Sequence, residues 1–244
     1  MQNINLEVSL LEEQFNILSY LGQYKSNYKD YNDIANNEAQ EGHNNFLLRE
    51  KTAENEDSSL EEWKKVCLEC RSCSLREGAS GVVFGEGDLR AGLMFIGEGP
   101  GGEEDKLGRP FVGKAGQLLN RILAAAGLQR EEVYIANIVK CRPPDNRAPQ
   151  REEIETCLPL LEKQIELIDP LLMVCLGAVA SKTLLRPNFS ITRERGNWNE
   201  FGGRPLMPTF HPAALLRDPS KKRPVWEDML KVMERYRELS EKER

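Results

Sequence analysis

From Leu60 onward the chain follows one rhythm, in which short apolar runs alternate with longer stretches of helical periodicity. Leu93–Ile96, Val133–Ala136, Leu171–Leu176 and Pro205–Phe210 read as strands, too short and too continuously apolar for amphipathic helices. Leu60–Cys67, Gly116–Ala126, Gln150–Ile168 and Ala178–Leu185 read as helices, and Trp226–Leu239 closes the chain as an amphipathic one. A strand followed by a helical crossover pairs parallel with the next strand. The expected fold is therefore α/β: a three-layer α/β/α sandwich with a central, mostly parallel four-stranded sheet. Such sheets collect function at the carboxyl ends of their strands. The Gly-rich and polar segments after Ile96, Ala136 and Phe210 fall there.

Residues 1–62 do not share the rhythm. They carry 13 acidic and 4 basic side chains, a balance of −9, whereas residues 63–244 carry 26 and 29, a balance of +3. The net charge of −6 would argue against a nucleic-acid partner, but the body of the chain is mildly basic and that objection lapses there. Leu10, Leu11, Phe15, Leu18 and Leu21 have roughly helical spacing, which predicts a weak helix without a core of its own. Residues 31–58 are rich in Asn, Glu, Asp and Gln and read as a disordered linker, with His43 solvated. The division expected is an acidic, partly disordered extension over 1–62 and a folded domain over 63–244. No apolar run reaches the ~18–20 residues of a membrane span. Met1–Leu10 has neither the basic start nor the apolar stretch of a secretory leader, so a cytosolic protein is expected.

In that compartment, cysteines point to metal, cluster or redox chemistry before disulfides. Cys67, Cys70 and Cys73 stand at C-x2-C-x2-C spacing, and Cys141 and Cys157 follow as C-x15-C. Cys175 lies inside an apolar run and is expected to be buried and structural. A C-x2-C turn brings two thiolates to one centre, and two later thiolates complete four ligands. A bacterial ferredoxin run would need another cysteine at Glu77. A redox-active C-x-x-C would leave Cys141 and Cys157 without a role. Structural zinc and an iron–sulfur cluster both satisfy the spacing, and spacing alone does not separate them.

Three loops carry the remaining signal. The first is Gly97-Glu98-Gly99-Pro100-Gly101-Gly102-Glu103-Glu104-Asp105, continuing to Gly108-Arg109-Pro110-Phe111-Val112-Gly113. Its glycines allow close backbone approach to a ligand. The Lys-Ser/Thr of a Walker pattern is missing, no helix is expected to open directly from the glycines, and the acidic side chains oppose a triphosphate. The second loop is Asn137-Ile138-Val139-Lys140-Cys141-Arg142-Pro143-Pro144, and the third is His211-Pro212-Ala213-Ala214-Leu215-Leu216-Arg217. His211 is the only histidine of the body.

With their motifs in this order, the loops and cysteines resemble the uracil-DNA glycosylase superfamily, most closely its family 4, the iron–sulfur enzymes. The resemblance covers about residues 68–240. It implies a four-stranded parallel sheet between helices, a [4Fe–4S] cluster on Cys70, Cys73, Cys141 and Cys157 with Cys67 surplus, and a monomer that acts on uracil-containing DNA. It also implies that uracil is flipped from DNA and its N-glycosidic bond hydrolysed to leave an abasic site. Phe111 would stack on the base, Asn137 would read it, and His211 would donate to uracil O2, with backbone N–H groups around Glu98 and Gly99 sharing that oxygen and Gly101 also among the substrate-binding residues. Better-known relatives carry an Asp where this chain has Gly99, so Glu98, Glu104 or no side chain is expected to serve instead, with charge stabilisation dominant and water positioning shared. Leu215 would be the wedge that fills the vacated stack. Arg217, Lys221, Lys222 and Arg223, and a second group of Lys140, Arg142 and Arg147, would meet phosphates. A silent DNA-binding or polymerase-associated module of the same fold is the competing expectation, with residues 1–62 docking a replication or repair partner. An iron–sulfur electron carrier is disfavoured, because no flavin or nicotinamide motif accompanies the cysteines.

Overall fold

The structure is a computed structural model, and it describes residues 59–242. The apolar pattern at Leu10–Leu21, the linker and His43 lie outside the described residues, as does most of the acidic extension. A helix over residues 59–68 (α1) runs through the expected boundary at 62/63, and its Leu60 is buried in the core.

Six strands form one sheet: β1 (Glu86–Gly87), β2 (Leu93–Gly97), β3 (Tyr134–Asn137), β4 (Leu172–Leu176), β5 (Asn199–Phe201) and β6 (Arg204–Thr209), in the order β1-β3-β2-β4-β6-β5. The four strands expected from the apolar runs are β2, β3, β4 and β6, and they pair parallel throughout. Every residue of β2, β3 and β4 is buried, so helices cover both faces and the strands need no alternation. The sequence did not predict the two edge strands. β1 is two residues long and antiparallel to β3. β5 is three residues long and forms a hairpin with β6 through Gly202 and Gly203, both at positive φ. Neither edge has an apolar run to announce it.

The helices that follow are α2 (Leu75–Gly78), α3 (Gly102–Leu107), α4 (Lys114–Ala125), α5 (Arg151–Ile168), α6 (Ala178–Leu184), α7 (Ile191–Glu194), α8 (Pro212–Arg217) and α9 (Lys222–Lys242). The long ones match the apolar periodicity. The four- to six-residue helices α2, α3, α7 and α8 do not complete enough turns to show one. One expectation is overturned here, because the glycine loop after β2 does open directly into helix α3. The first turn of α3 holds Glu103, Glu104 and Asp105, so this N-terminus already has its anions. Among the described residues no helix is long and apolar enough to cross a membrane.

The order places β3 on one side of β2 and β4 on the other, so the chain reverses direction across the sheet at β2. The crevice outside the carboxyl ends of β2, β3, β4 and β6 is where such a sheet leaves room for a ligand.

Candidate active site and cysteine cavity

That crevice is a cavity of about 530 Å³. Its volume falls in the ~300–1,000 Å³ range of small-molecule sites. Asn137, the last residue of β3, is 1% exposed, and its Oδ1 has no hydrogen-bond partner among the described residues. A buried amide oxygen left unpaired costs about 1–3 kcal/mol, so a ligand N–H is its natural partner. Gly97, opposite Asn137 in the parallel register, makes the space. A Cβ at Gly97 would lie 2.4 Å from Asn137 Oδ1 and 2.5 Å from Phe111 Cζ, so the amide and the ring meet over a bare backbone. The Phe111 ring is in turn 5.5 Å from the His211 imidazole, centroid to centroid, tilted by 31°. Amide, ring and imidazole, read from three separate loops, thus line one cavity.

His211 caps α8. Its Nδ1 accepts from the Ala213 N–H at 3.1 Å, which leaves the single proton of a neutral ring on Nε2. Burial, aided by Arg217 and opposed by Glu104, holds the imidazole pKa down at about 4. The ring is therefore a neutral donor at physiological pH. Gly177, at φ +95°, lets β4 turn into α6 against this side chain, since a Cβ there would stand 2.9 Å from His211 Cβ.

The two expected carboxylates are placed differently. Glu104 is a brace: Oε1 accepts from the Val112 and Gly113 N–H groups at 2.9 and 2.8 Å, and Oε2 accepts from Gly101 at 3.2 Å. With both oxygens committed to the loop, it is poorly placed to direct water. The N–H of Gly101 is likewise engaged within the loop. Glu98 lines the cavity, burial raises its carboxyl pKa, and that carboxyl has no hydrogen-bond partner among the described residues, although the Glu98 carbonyl accepts from Val139 N–H at 3.1 Å. Gly99 packs against the second loop, where a Cβ would reach 2.7 Å from Val139 Cγ2.

Two expectations about the DNA-facing side are corrected. Leu215 is 1% exposed and packs inward, so it cannot be a wedge; its neighbour Leu216 is 46% exposed. A six-residue helix with two consecutive leucines buries one and presents the other. Lys140 is 1% exposed and cannot meet a phosphate. Arg142 donates to Asn146 Oδ1, and Arg147 forms a two-pronged pair with Glu153 at 2.6 and 2.8 Å. Arg217 is exposed and lines the cavity rim, and Lys221 pairs with Asp218 at 3.0 Å.

The cavity also uses residues not singled out in sequence, among them Gly177, Asn146 and Phe210. Gly177 carried a signal in ending an apolar run. Asn146 carried none, because it enters through a turn in which it and Asp145 both have positive φ.

A second cavity is lined by all of Cys67, Cys70, Cys73, Cys141 and Cys157, together with Lys140. Cys175 is elsewhere, fully buried in β4 as expected. The cysteines come from the end of α1, the following turn, the loop after β3 and helix α5. Among the described residues no three His, Cys, Asp or Glu side chains converge closely enough for a single metal ion. Burial pushes the Cys141 thiol up to about 12, so a thiolate there depends on added positive charge. The Lys140 ammonium nitrogen is buried beside these sulfurs without a hydrogen-bond partner among the described residues. An uncompensated buried cation facing several cysteines suits an anionic thiolate-bound group.

Fold and cavity together define a doubly wound α/β protein whose crevice is lined by a ring face, a buried amide and a neutral imidazole. A family model described as the uracil DNA glycosylase superfamily matches residues 84–230. A type-4 uracil-DNA glycosylase of Thermotoga maritima is 49% identical over 167 residues, covering 67% of this chain and 87% of that protein. The type-4 uracil-DNA glycosylase of Sulfurisphaera tokodaii is 43% identical over 185 residues, covering 72% and 84%. A DNA polymerase of Bacillus phage SP01 is 35% identical over 147 residues, which is 60% of this chain and 16% of the polymerase. The chain belongs to the uracil DNA glycosylase superfamily, among its type-4 uracil-DNA glycosylases.

Proposed function

We propose that this chain flips uracil from DNA into the cavity and hydrolyses its N-glycosidic bond, leaving an abasic site. The observation that carries the reading is the unpartnered Asn137 Oδ1, which lines one cavity with the Phe111 ring and the neutral His211. Uracil offers N3–H to that oxygen and O4 to the Asn137 amide N–H. Cytosine presents the reverse pattern and would leave both groups unpaired, at about 1–3 kcal/mol each. Phe111 supplies the face on which the ring stacks.

As the C1′–N1 bond breaks, its electron pair leaves on uracil and charge gathers at O2. His211 donates Nε2–H towards that oxygen. Because the ring is neutral, it stabilises the charge without first losing a proton. A water oxygen joins C1′, and Glu98 is the carboxyl that would orient the water and take up its proton. The Glu98 pKa is raised from the ordinary value, so the carboxylate becomes a better base where it still ionises. Leu216 takes the place of Leu215 as the apolar residue entering the vacated stack, next to Arg217 at the rim.

For the second cavity, Cys70, Cys73, Cys141 and Cys157 would hold a [4Fe–4S] cluster, with Lys140 as the buried countercharge. When bound, the cluster supplies a covalent tie and no step of the hydrolysis. It would join the turn after α1 to the loop after β3 and to α5, fixing the segment that starts at Asn137. Similarity to part of a phage DNA polymerase supports association with replication enzymes, and the acidic residues 1–62 are the segment proposed to dock there.

The test is incubation with a uracil-containing oligonucleotide followed by alkali cleavage. Strand scission at the uracil position is expected, with Asn137→Ala lowering the rate about 100-fold and His211→Ala about 100- to 1,000-fold. Equal scission by the parent protein and Asn137→Ala would remove the cavity from the reaction.

A further inference from the structure

Phe111 holds an unusual backbone conformation. Its φ is +51°, a region that costs a non-glycine residue strain unless its surroundings enforce it. The peptide that follows it is gripped from both ends. The Phe111 carbonyl accepts from Arg130 Nη1 at 3.1 Å, while the Val112 N–H of the same peptide donates to Glu104 Oε1 at 2.9 Å. Arg130 Nη2 also donates to the Pro110 carbonyl. A cation and an anion thus hold one peptide plane, and that plane fixes where the Phe111 ring points.

Arg130 is itself firmly placed. It lies in a short 3-10 turn over Arg130–Glu132, outside the three motif loops of the site. Its side chain is 11% exposed, and Nε bonds Glu86 Oε1 at 2.6 Å on the edge strand β1. Nη1 also reaches Asn120 Oδ1 on α4 at 2.9 Å. Arg109 takes the same Glu86 carboxylate at 2.7 and 3.0 Å, tying down the start of the Arg109–Phe111 segment. Gly116 lets α4 close on the segment, because a Cβ there would fall 1.9 Å from the Phe111 carbonyl oxygen.

We infer that Arg130 is a positioning residue for uracil recognition: from outside the cavity, its guanidinium fixes the Pro110–Phe111 carbonyls and thereby presents the Phe111 ring to the base. The inference rests on the proposed stacking of uracil on Phe111. Lysine is a poor substitute, since one ammonium cannot reproduce a planar fork that reaches two carbonyls, an amide and a carboxylate together. Loosening the ring removes pre-organisation, and small misplacements in a site cost large factors in rate.

The experiment measures kcat and KM for uracil excision, inhibition by free uracil, and thermal midpoint for Arg130→Lys, Arg130→Gln and Phe111→Leu. Val232→Ala, in the buried face of α9, is the stability control. Both Arg130 variants are expected to lower kcat and weaken free-uracil inhibition by about tenfold, with KM for DNA changed less than twofold. Val232→Ala should leave both uracil readouts unchanged at a comparable or larger loss of thermal midpoint. Unchanged uracil inhibition and kcat in a folded Arg130→Lys or Arg130→Gln would overturn the inference. So would equal losses in Val232→Ala, which would make the effect one of stability. Weakened uracil inhibition in Phe111→Leu with unchanged inhibition in the Arg130 variants would overturn the inference and spare the stacking reading. No effect in Phe111→Leu would sink the stacking reading itself.

Discussion

Gly97 sets how closely the Asn137 amide and the Phe111 ring approach each other. Adding one methyl group there brings carbon to 2.4 Å from an oxygen and 2.5 Å from a ring atom, well inside contact distance. The sheet holds the backbone on both sides, so the side chains must yield. Overpacking of this kind typically costs about 1–3 kcal/mol. Gly97→Ala is expected to fold with a lowered thermal midpoint and to lose uracil excision at least about tenfold; excision at the parent rate would show that the pocket tolerates a displaced amide. His211 gives a pH signature. Its folded pKa of about 4 lies below the ordinary 6.5, so the unfolded chain binds the proton more readily. The stability this difference confers is complete above pH 6.5 and is lost as pH falls from 6.5 through about 4. Urea denaturation of the parent and His211→Gln should show the parent's stability falling more steeply between pH 6.5 and 4. Parallel profiles would mean that the imidazole titrates normally in the folded protein.

The third loop depends on how its elements are fastened. β6 ends at Thr209, two residues before His211, and Thr209 Oγ1 donates to Asp228 Oδ2 on α9. Arg195 Nε bonds the same oxygen at 2.7 Å, and Asp228 is 1% exposed. Removing one partner of a buried charge pair leaves the other uncompensated, at about 3–5 kcal/mol. Asp228→Ala is expected to lose about that much in urea denaturation; a loss under about 1 kcal/mol would show that Arg195 finds water instead. Local sequence does not reveal this fastening, because its members are separated by up to 33 residues. The same reason hid Arg130. What was legible is what repeats or clusters: parallel strands as unbroken apolar runs, loops as glycine- and proline-rich punctuation, and the spaced cysteines that line one cavity. Leu215 and Leu216 were indistinguishable because adjacent apolar residues on a short helix do not say which one faces inward. Lys140 read as surface charge, since its burial depends on cysteines contributed by three other segments. The hairpin at Gly202-Gly203 did leave a trace in its paired glycines, although the strand beside it is polar and three residues long.

Across the whole molecule, charge is separated along the sequence. The excess of 9 negative charges in residues 1–62 sets the net value, while residues 63–244 carry an excess of 3 positive charges. Net charge therefore misstates the field that DNA meets at the cavity, where nearby cations set it at short range. Several of those cations are already engaged, Arg147 by Glu153 and Lys221 by Asp218. Arg217 is exposed at the rim, just after Leu216, and on the proposed reading it meets the phosphate beside a flipped nucleotide. Each phosphate contact releases counterions, so binding should weaken linearly in log–log with salt, by about 0.7–0.9 in slope per contact. Arg217→Ala is therefore expected to reduce the magnitude of the salt slope by about that amount, measured by titrating labelled uracil-containing oligonucleotide at several salt concentrations. The loss should be the same for an oligonucleotide with thymine in place of uracil, because a phosphate contact does not read the base. A slope equal to the parent's would place the DNA backbone elsewhere. A loss confined to the uracil-containing strand would instead assign Arg217 to the pocket rather than to the strand.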